Sequence, residues 1–143
     1  MRIYIAGPMS GQPLYNFPAF DEAAARWRSN GHDVTSPADI TRGLYWERFG
    51  RQYDPAVDRV EWGDRITCEL FERDLRAVCT VDGIALLAGW KHSRGAKMEI
   101  AVGLALGKMF YDAERMEHMG VEATIIADVA WVAEQRLLQP SGA

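Results

Sequence analysis

Gly83-Ile84-Ala85-Leu86-Leu87-Ala88-Gly89-Trp90-Lys91-His92-Ser93-Arg94-Gly95-Ala96-Lys97-Met98-Glu99-Ile100-Ala101-Val102-Gly103 is the stretch on which the fold turns. Its opening run, Gly83 to Ala88, is unbroken and apolar, the pattern of a strand buried on both faces. Gly89 to Gly95 reads as a loop. A helix follows from about Ala96 to Leu106, and Gly107 ends it. Lys108-Met109-Phe110-Tyr111 then reads as a further strand. Upstream, Ile3-Tyr4-Ile5-Ala6 is a short strand closed by Gly7-Pro8. A loop runs to Pro13, and Asn16-Phe17-Pro18 opens a helix with Asn as cap and Pro in the first turn. Phe20, Ala23, Ala24 and Trp27 recur at helical spacing before Asn30-Gly31. Asp33-Val34-Thr35 is a second strand, ended by Ser36-Pro37. Residues 64–79 form a helix with Ile66, Leu70, Phe71, Leu75 and Val78 on one face. Ala123 to Leu138 is an amphipathic, helical segment in which Thr124-Ile125-Ile126 could begin as strand, and the tail from Gln139 frays.

Strands alternating with helices predict a parallel sheet covered on both faces. The fold class is α/β: a single doubly wound, flavodoxin- or Rossmann-like domain over residues 1–143, with a four- to five-stranded parallel sheet. Right-handed crossovers bring the strand-to-helix loops to one edge, where such sheets bind ligands. Gly7 to Pro13 and Gly89 to Gly95 should frame that site.

The chain has 143 residues, 48% hydrophobic and 25% charged, ordinary for a globular domain. Sixteen Lys and Arg against twenty Asp and Glu leave a net charge of −4, which argues against nonspecific nucleic-acid binding. No apolar run reaches the ~20 residues that span a bilayer, and Met1-Arg2 leads straight into a strand without a signal peptide. Cys68 and Cys79, if on one helix, lie too far apart to bridge. No Cys/His cluster has metal spacing. A cytoplasmic, reduced protein without metal or organic cofactor is expected.

Residues 41–63 stand out as an aromatic-rich insert. Tyr45, Trp46, Phe49, Tyr53 and Trp62 are interleaved with Arg42, Arg48, Arg51 and Arg59. As a long loop it could be a lid whose aromatics stack on a base, with Trp46 and Tyr45 as candidates, or a single-strand platform. Alternatively, its aromatics pack locally or at a subunit contact. Glu47, Asp54, Asp58 and Glu61 balance its arginines.

Familiar phosphate and catalytic motifs are missing. Gly7-x-x-x-Gly11 is not a dinucleotide fingerprint, no Lys-Ser/Thr follows Gly95, and no G-x-S-x-G elbow occurs. What remains is a loop feeding a helix N-terminus, where free N–H groups and the dipole attract an anion. Ser93 adds a hydroxyl, Arg94 a charge, and Gly95 lets a ligand approach the backbone. Glu99, about a turn in, leans back toward the loop. The dipole should keep it ionised, with Ala96 and Gly103 leaving room beside it. A shielded, ionised carboxylate next to a phosphate-friendly loop suits attack on a sugar carbon. Taken singly, Glu99 is a helix-stabilising charge, Ser93 an N-cap, Tyr4 a strand residue, Asp74 a solvated helix charge and Asp82 a turn residue.

As a set, Tyr4-x-x-Gly7, Asp74-Leu75, Asp82 and Ser93-x-Gly95-x-x-x-Glu99 resemble the nucleoside 2-deoxyribosyltransferase-like superfamily. The match is nearest to its 2'-deoxynucleoside 5'-monophosphate N-glycosidases. Ala6-Gly7-Pro8-Met9-Ser10-Gly11 and Asn16-Phe17-Pro18-Ala19-Phe20 also resemble small phage and bacterial members. The resemblance covers residues 3 to 111, the insert excepted.

It implies that Glu99 is the nucleophile and that Asp74 holds the sugar or assists base departure. It further implies a substrate pocket drawn from Tyr4, Gly7, Pro8, Met9, Ser10, Gly11, Asp82, Gly89, Trp90, Ser93, Arg94 and Gly95, with Trp46 from the insert. Position 93 is Asp in the base-exchanging members and Ser in the monophosphate hydrolases. Ser93 therefore favours a 5'-phosphorylated substrate, since a carboxylate would repel phosphate. Pro8 replaces a Ser common in the hydrolases. The implied activity is cleavage of the N-glycosidic bond to free base and deoxyribose 5-phosphate. The alternatives are base exchange by a deoxyribosyltransferase, cleavage of NAD-like or modified nucleotides, and a nucleotide-binding module without turnover. A small-molecule nucleotide or nucleoside partner and a homodimer or higher homo-oligomer are expected, with no membrane and no nucleic acid.

Overall fold

The computed structural model describes residues 1–58 and 65–121. Four strands, β1 (Arg2–Ala6), β2 (Asp33–Thr35), β3 (Gly83–Leu86) and β4 (Met109–Asp112), form one sheet in the order β2-β1-β3-β4. All three pairings are parallel, with Tyr4 beside both Thr35 and Ile84, and Ile84 beside Phe110. The helices are α1 (Phe17–Ser29), α2 (Pro37–Phe49), α3 (Arg65–Thr80) and α4 (Arg94–Ala105). This is the expected α/β architecture, with four strands among the described residues. Segment 123–138 lies outside them.

The strands alternate as a two-sided sheet requires. Ile3 and Ile5 of β1 face α1, where Phe17, Phe20, Ala23, Ala24 and Trp27 are buried. Tyr4 and Ala6 face the other layer, with Val78 of α3 and Ala96 and Ile100 of α4. Trp27 satisfies its indole N–H on the carbonyl of Ala113 at 2.9 Å. The chain leaves β1 toward β2 on one side, and leaves β3 toward β4 on the other. The crevice where strand order reverses therefore opens between the carboxyl ends of β1 and β3.

The described part of the insert is not one long loop. Residues 37–49 are helical, so the region reads β2-α2-α3-β3. Ser36, taken as a strand end, is an N-cap whose side chain accepts from the Ala38 N–H; Pro37 holds the first helical position and Gly50, at φ 63, closes the helix. The arginines here have partners. Arg42 forks onto Asp21 at 2.8 and 2.7 Å, and Arg51 onto Asp58 at 2.7 Å from each nitrogen. Arg48 bridges to Glu69, and Arg73 of α3 returns to Glu47 of α2. These pairs tie α2 to its neighbouring helices, so the described arginines of the segment stand opposite carboxylates rather than as a free basic stripe.

Cys68 and Cys79 are both exposed, free thiols on α3. Among the described residues no helix is long and apolar enough to cross a membrane, and no group of three or more His, Cys, Asp or Glu could hold a metal.

Candidate active site

Tyr4 sits mid-strand with its side chain on the α3/α4 side, fully buried. Its hydroxyl donates to Oε2 of Glu99, on α4. Glu99 is only 5% exposed. On α3, Thr67, Leu70, Phe71 and Asp74 follow the i, i+3, i+4, i+7 spacing of one helix face, and all four line the same cavity as Glu99. The cavity occupies about 1100 Å³ at the carboxyl edge of the sheet. Gly7 to Ser10 and Gly89 to Gly95, the two loops expected to frame a site, do so.

The electrostatics differ from expectation. Glu99 lies in the second turn of a helix that starts at Arg94, not in the first turn of one starting at Ala96. A dipole's influence fades within its first turn, so burial decides. Burial, and then the charge of Asp74, raise the Glu99 pKa well above the usual carboxylate range, while the Tyr4 hydroxyl pulls it down. Burial thus opposes the ionised carboxylate that the helix dipole alone would favour. Asp74 is likewise no solvated helix charge. Burial pushes it up to about 8, and its Oδ1 is buried without a hydrogen-bond partner. Tyr4 is held protonated by burial and by both carboxylates.

The loops are locked together. A Cβ on Gly7 would come within 2.7 Å of Leu87 Cβ, and one on Gly89, at φ 84, within 3.3 Å of Pro8 Cγ. The Ser93 hydroxyl caps α4 by accepting from Ala96 N–H at 3.2 Å and reaches the Gly7 carbonyl at 3.4 Å. Ser93 is thus both an N-cap and a wall of the cavity. Gly7→Ala should destabilise the fold by about 1–3 kcal/mol, the usual range for overpacking, and part the two loops. Thermal unfolding measures the loss.

Most of the expected set converges. Gly7, Pro8, Met9, Ser10, Asp74, Gly89, Trp90, Ser93, Arg94, Gly95 and Glu99 line the cavity, and Tyr4 supports it from below. Three residues do not join it. Asp82 precedes β3, at the opposite end of the strands, where Arg2 pairs with it at 2.8 Å and lowers its pKa to about 2. Trp46 is 62% exposed on α2 and is not among the lining residues. Gly11, at φ 78, shapes the first loop without being among those residues. Nor does Gly103 leave room for a ligand, since a Cβ there would come within 2.5 Å of Ile84 Cδ1. It lets α4 pack close on the sheet. Tyr15 and Thr67, which line the cavity, were outside the expected set, and Tyr53, which also lines it, was expected only as one of the insert's aromatics behind Trp46 and Tyr45. The spacing of Thr67 to Leu70, Phe71 and Asp74 was a usable signal; Tyr53 had none beyond its neighbours.

Fold and site define a small α/β domain of flavodoxin-type strand order, whose switch-point cleft holds a Tyr-supported glutamate and a second buried carboxyl. The chain belongs to the family described as a domain of unknown function (DUF4406), whose model matches residues 1–61 and 53–112. Among solved structures, one described as a 2-deoxyribosyltransferase from the psychrotolerant bacterium Bacillus psychrosaccharolyticus shares the fold. It is 20% identical, with a TM-score of 0.53, over 78% of this chain and 70% of that one. No curated protein matches the chain.

Proposed function

We propose that this domain is an N-glycosidase that releases the base from a 2'-deoxynucleoside 5'-monophosphate. The observation that carries the reading is the Tyr4–Glu99–Asp74 constellation, with both acidic residues lining one cavity. Two close, buried carboxyls share protons as a pair. The Tyr4 hydroxyl donates to Glu99, whereas Asp74 Oδ1 has no donor. In the reaction proposed, Glu99 carries the negative charge under the Tyr4 hydroxyl, and Asp74, which burial favours in its neutral form, carries the proton. One carboxyl becomes a nucleophile and the other an acid.

In the reaction a Glu99 oxygen forms a bond to C1' as the C1'–N bond breaks through an oxocarbenium-like state, which the carboxylate stabilises. The bonding pair leaves with the base nitrogen, and Asp74 supplies the proton that neutralises the base. Water then attacks C1' of the sugar ester and gives its proton to the Asp74 carboxylate. Deoxyribose 5-phosphate leaves and Glu99 is restored, as in retaining glycosidases. The 5'-phosphate is assigned to the Ser93–Gly95 turn, where a helix N-terminus favours an anion. Binding there, away from the reacting bond, orients the sugar.

The fold shared with a structure described as a 2-deoxyribosyltransferase supports a nucleoside-type substrate, and favours base transfer as the second reading. Incubation with a panel of 2'-deoxynucleosides and their 5'-monophosphates, with chromatography for free base, tests the proposal. Monophosphates should release base fastest. A swapped nucleoside on adding a second base would instead mark a transferase, and no product from any member would remove the enzymatic reading. Ser93→Asp should weaken monophosphate binding roughly 10-fold or more, the effect of an added like charge, while nucleoside binding changes little. Calorimetry separates the two. A homodimer or larger assembly belongs to this reading, and sedimentation measures it.

A further inference from the structure

The cavity straddles the sheet edge. Asp74 and Glu99 come from the α3/α4 layer, but Tyr15, Phe17 and Tyr53 enter it from the α1 side. Tyr53 lies beyond α2, within the segment whose aromatics drew attention in the sequence. A closed turn fixes it: its hydroxyl donates to the Asp58 carbonyl at 3.1 Å, the Asp54 N–H donates to Asp58 Oδ2 at 2.8 Å, and Arg51 clamps the same carboxylate. Its ring packs on Tyr45 at 4.7 Å and Phe17 at 5.1 Å.

Tyr15 is presented by a different and strained device. Leu14, Tyr15 and Asn16 stand in succession at φ 52, 54 and 59, a left-handed conformation that residues with a Cβ rarely adopt. The Asn16 side chain does not cap α1. It donates instead to the Pro8 carbonyl at 2.8 Å and pins the turn to the first loop. Leu14 remains 48% exposed, so the strain does not serve to bury it. What the turn achieves is to set the Tyr15 ring at 86° to that of Tyr53, with centroids 6.5 Å apart. Strain of this kind persists where function needs the geometry.

We propose that Tyr15 and Tyr53 form an aromatic corner that takes the nucleobase, one ring stacking on its face and the other meeting its edge. This rests on the nucleotide reading above and deepens it. The scissile bond then lies between the carboxyl wall and the aromatic wall, and the segment after α2 contributes the base-side selectivity through Tyr53 rather than Trp46 or Tyr45. The corner recognises a flat, π-faced group, not the sugar phosphate.

Calorimetry on the full chain tests this, with 2'-deoxynucleoside 5'-monophosphates and deoxyribose 5-phosphate as separate probes. Tyr15→Ala and Tyr53→Leu should each weaken nucleotide binding roughly 5- to 150-fold, the range for loss of one base–aromatic stack, and leave sugar phosphate binding unchanged. Tyr53→Phe, which keeps the ring and drops the bond to Asp58, should lose clearly less nucleotide binding than Tyr53→Leu. Equal losses for both probes in the two variants, or no nucleotide loss in a folded Tyr15→Ala chain, would overturn the corner. Binding of sugar phosphate as tight as nucleotide by the parent chain would also overturn it, while sparing the phosphate site. Binding of neither probe would remove the nucleotide reading itself, and the corner with it.

Discussion

Replacing Glu99 by Gln should reduce base release by at least ~10³-fold, the scale of losing a preorganised group that stabilises transition-state charge. It should leave nucleotide binding measurable. The amide oxygen still accepts from the Tyr4 hydroxyl, so the buried hydrogen bond survives, but the nucleophilic charge is gone. Stability should hold or rise, because the buried site opposes a charge at this position: burial and Asp74 both raise the Glu99 pKa. An inactive, well-folded, nucleotide-binding variant is the expected result. Chromatographic assay, thermal unfolding and calorimetry on one preparation check the three parts together. Near-full activity would take Glu99 out of the mechanism.

Asp74→Asn should make the protein more stable and far less active. A positioned proton donor contributes ~10²–10⁴-fold in rate, and Asn at 74 has no carboxyl proton to give. The stability change follows from the direction of the pKa shift. Asp74 titrates near 3.8 when unfolded and at about 8 when folded. Between those values the folded state holds the extra proton, so unfolding free energy falls as pH rises. The slope approaches ~1.4 kcal/mol per pH unit where the difference is one full proton. The stability associated with the neutral carboxyl is complete below about 4 and is lost by the time pH has passed about 8. Thermal midpoints of the parent chain should therefore drop between these limits, and Asp74→Asn should flatten the drop and gain most at the alkaline end. A parallel pH dependence in both chains would show that Asp74 ionises freely in the folded protein. Glu99 shifts in the same direction, so part of the slope should survive in the Asn variant.

The same two residues show what the sequence could and could not tell. The architecture was legible because Ile3 to Ala6 and Gly83 to Leu86 are short apolar runs closed by glycine, and both form strands. Those strands also placed the two loops correctly. Helix α2 was misread because its caps, Ser36-Pro37 and Gly50, also read as turn chemistry, and its apolar positions form no clean stripe. Glu99 lines the cavity beside the loop after β3, as expected, but the helix dipole was a poor guide to its charge, which burial opposes. A helix dipole can be inferred from position alone, whereas the desolvation that outweighs it depends on how α3 and α4 close over β1. Asp74 lies on the apolar face shared with Leu70 and Phe71, a periodicity that sequence does record; its orphaned Oδ1 is a tertiary fact. Trp46 and Tyr53 separate for a similar reason. Both are aromatics of one segment, and only the turn clamped by Arg51 and Asp58 decides which of them reaches the cavity.

In the proposed reaction Glu99 bonds covalently to the sugar carbon released from the base. The direct measurement is intact-protein and peptide mass spectrometry after rapid acid quenching of the chain with a reactive 2'-deoxynucleoside 5'-monophosphate. An added deoxyribosyl 5-phosphate group is expected on the peptide that carries Glu99, and none on Glu99→Gln. Base release at full rate with no such adduct, or with the adduct on another residue, would contradict it.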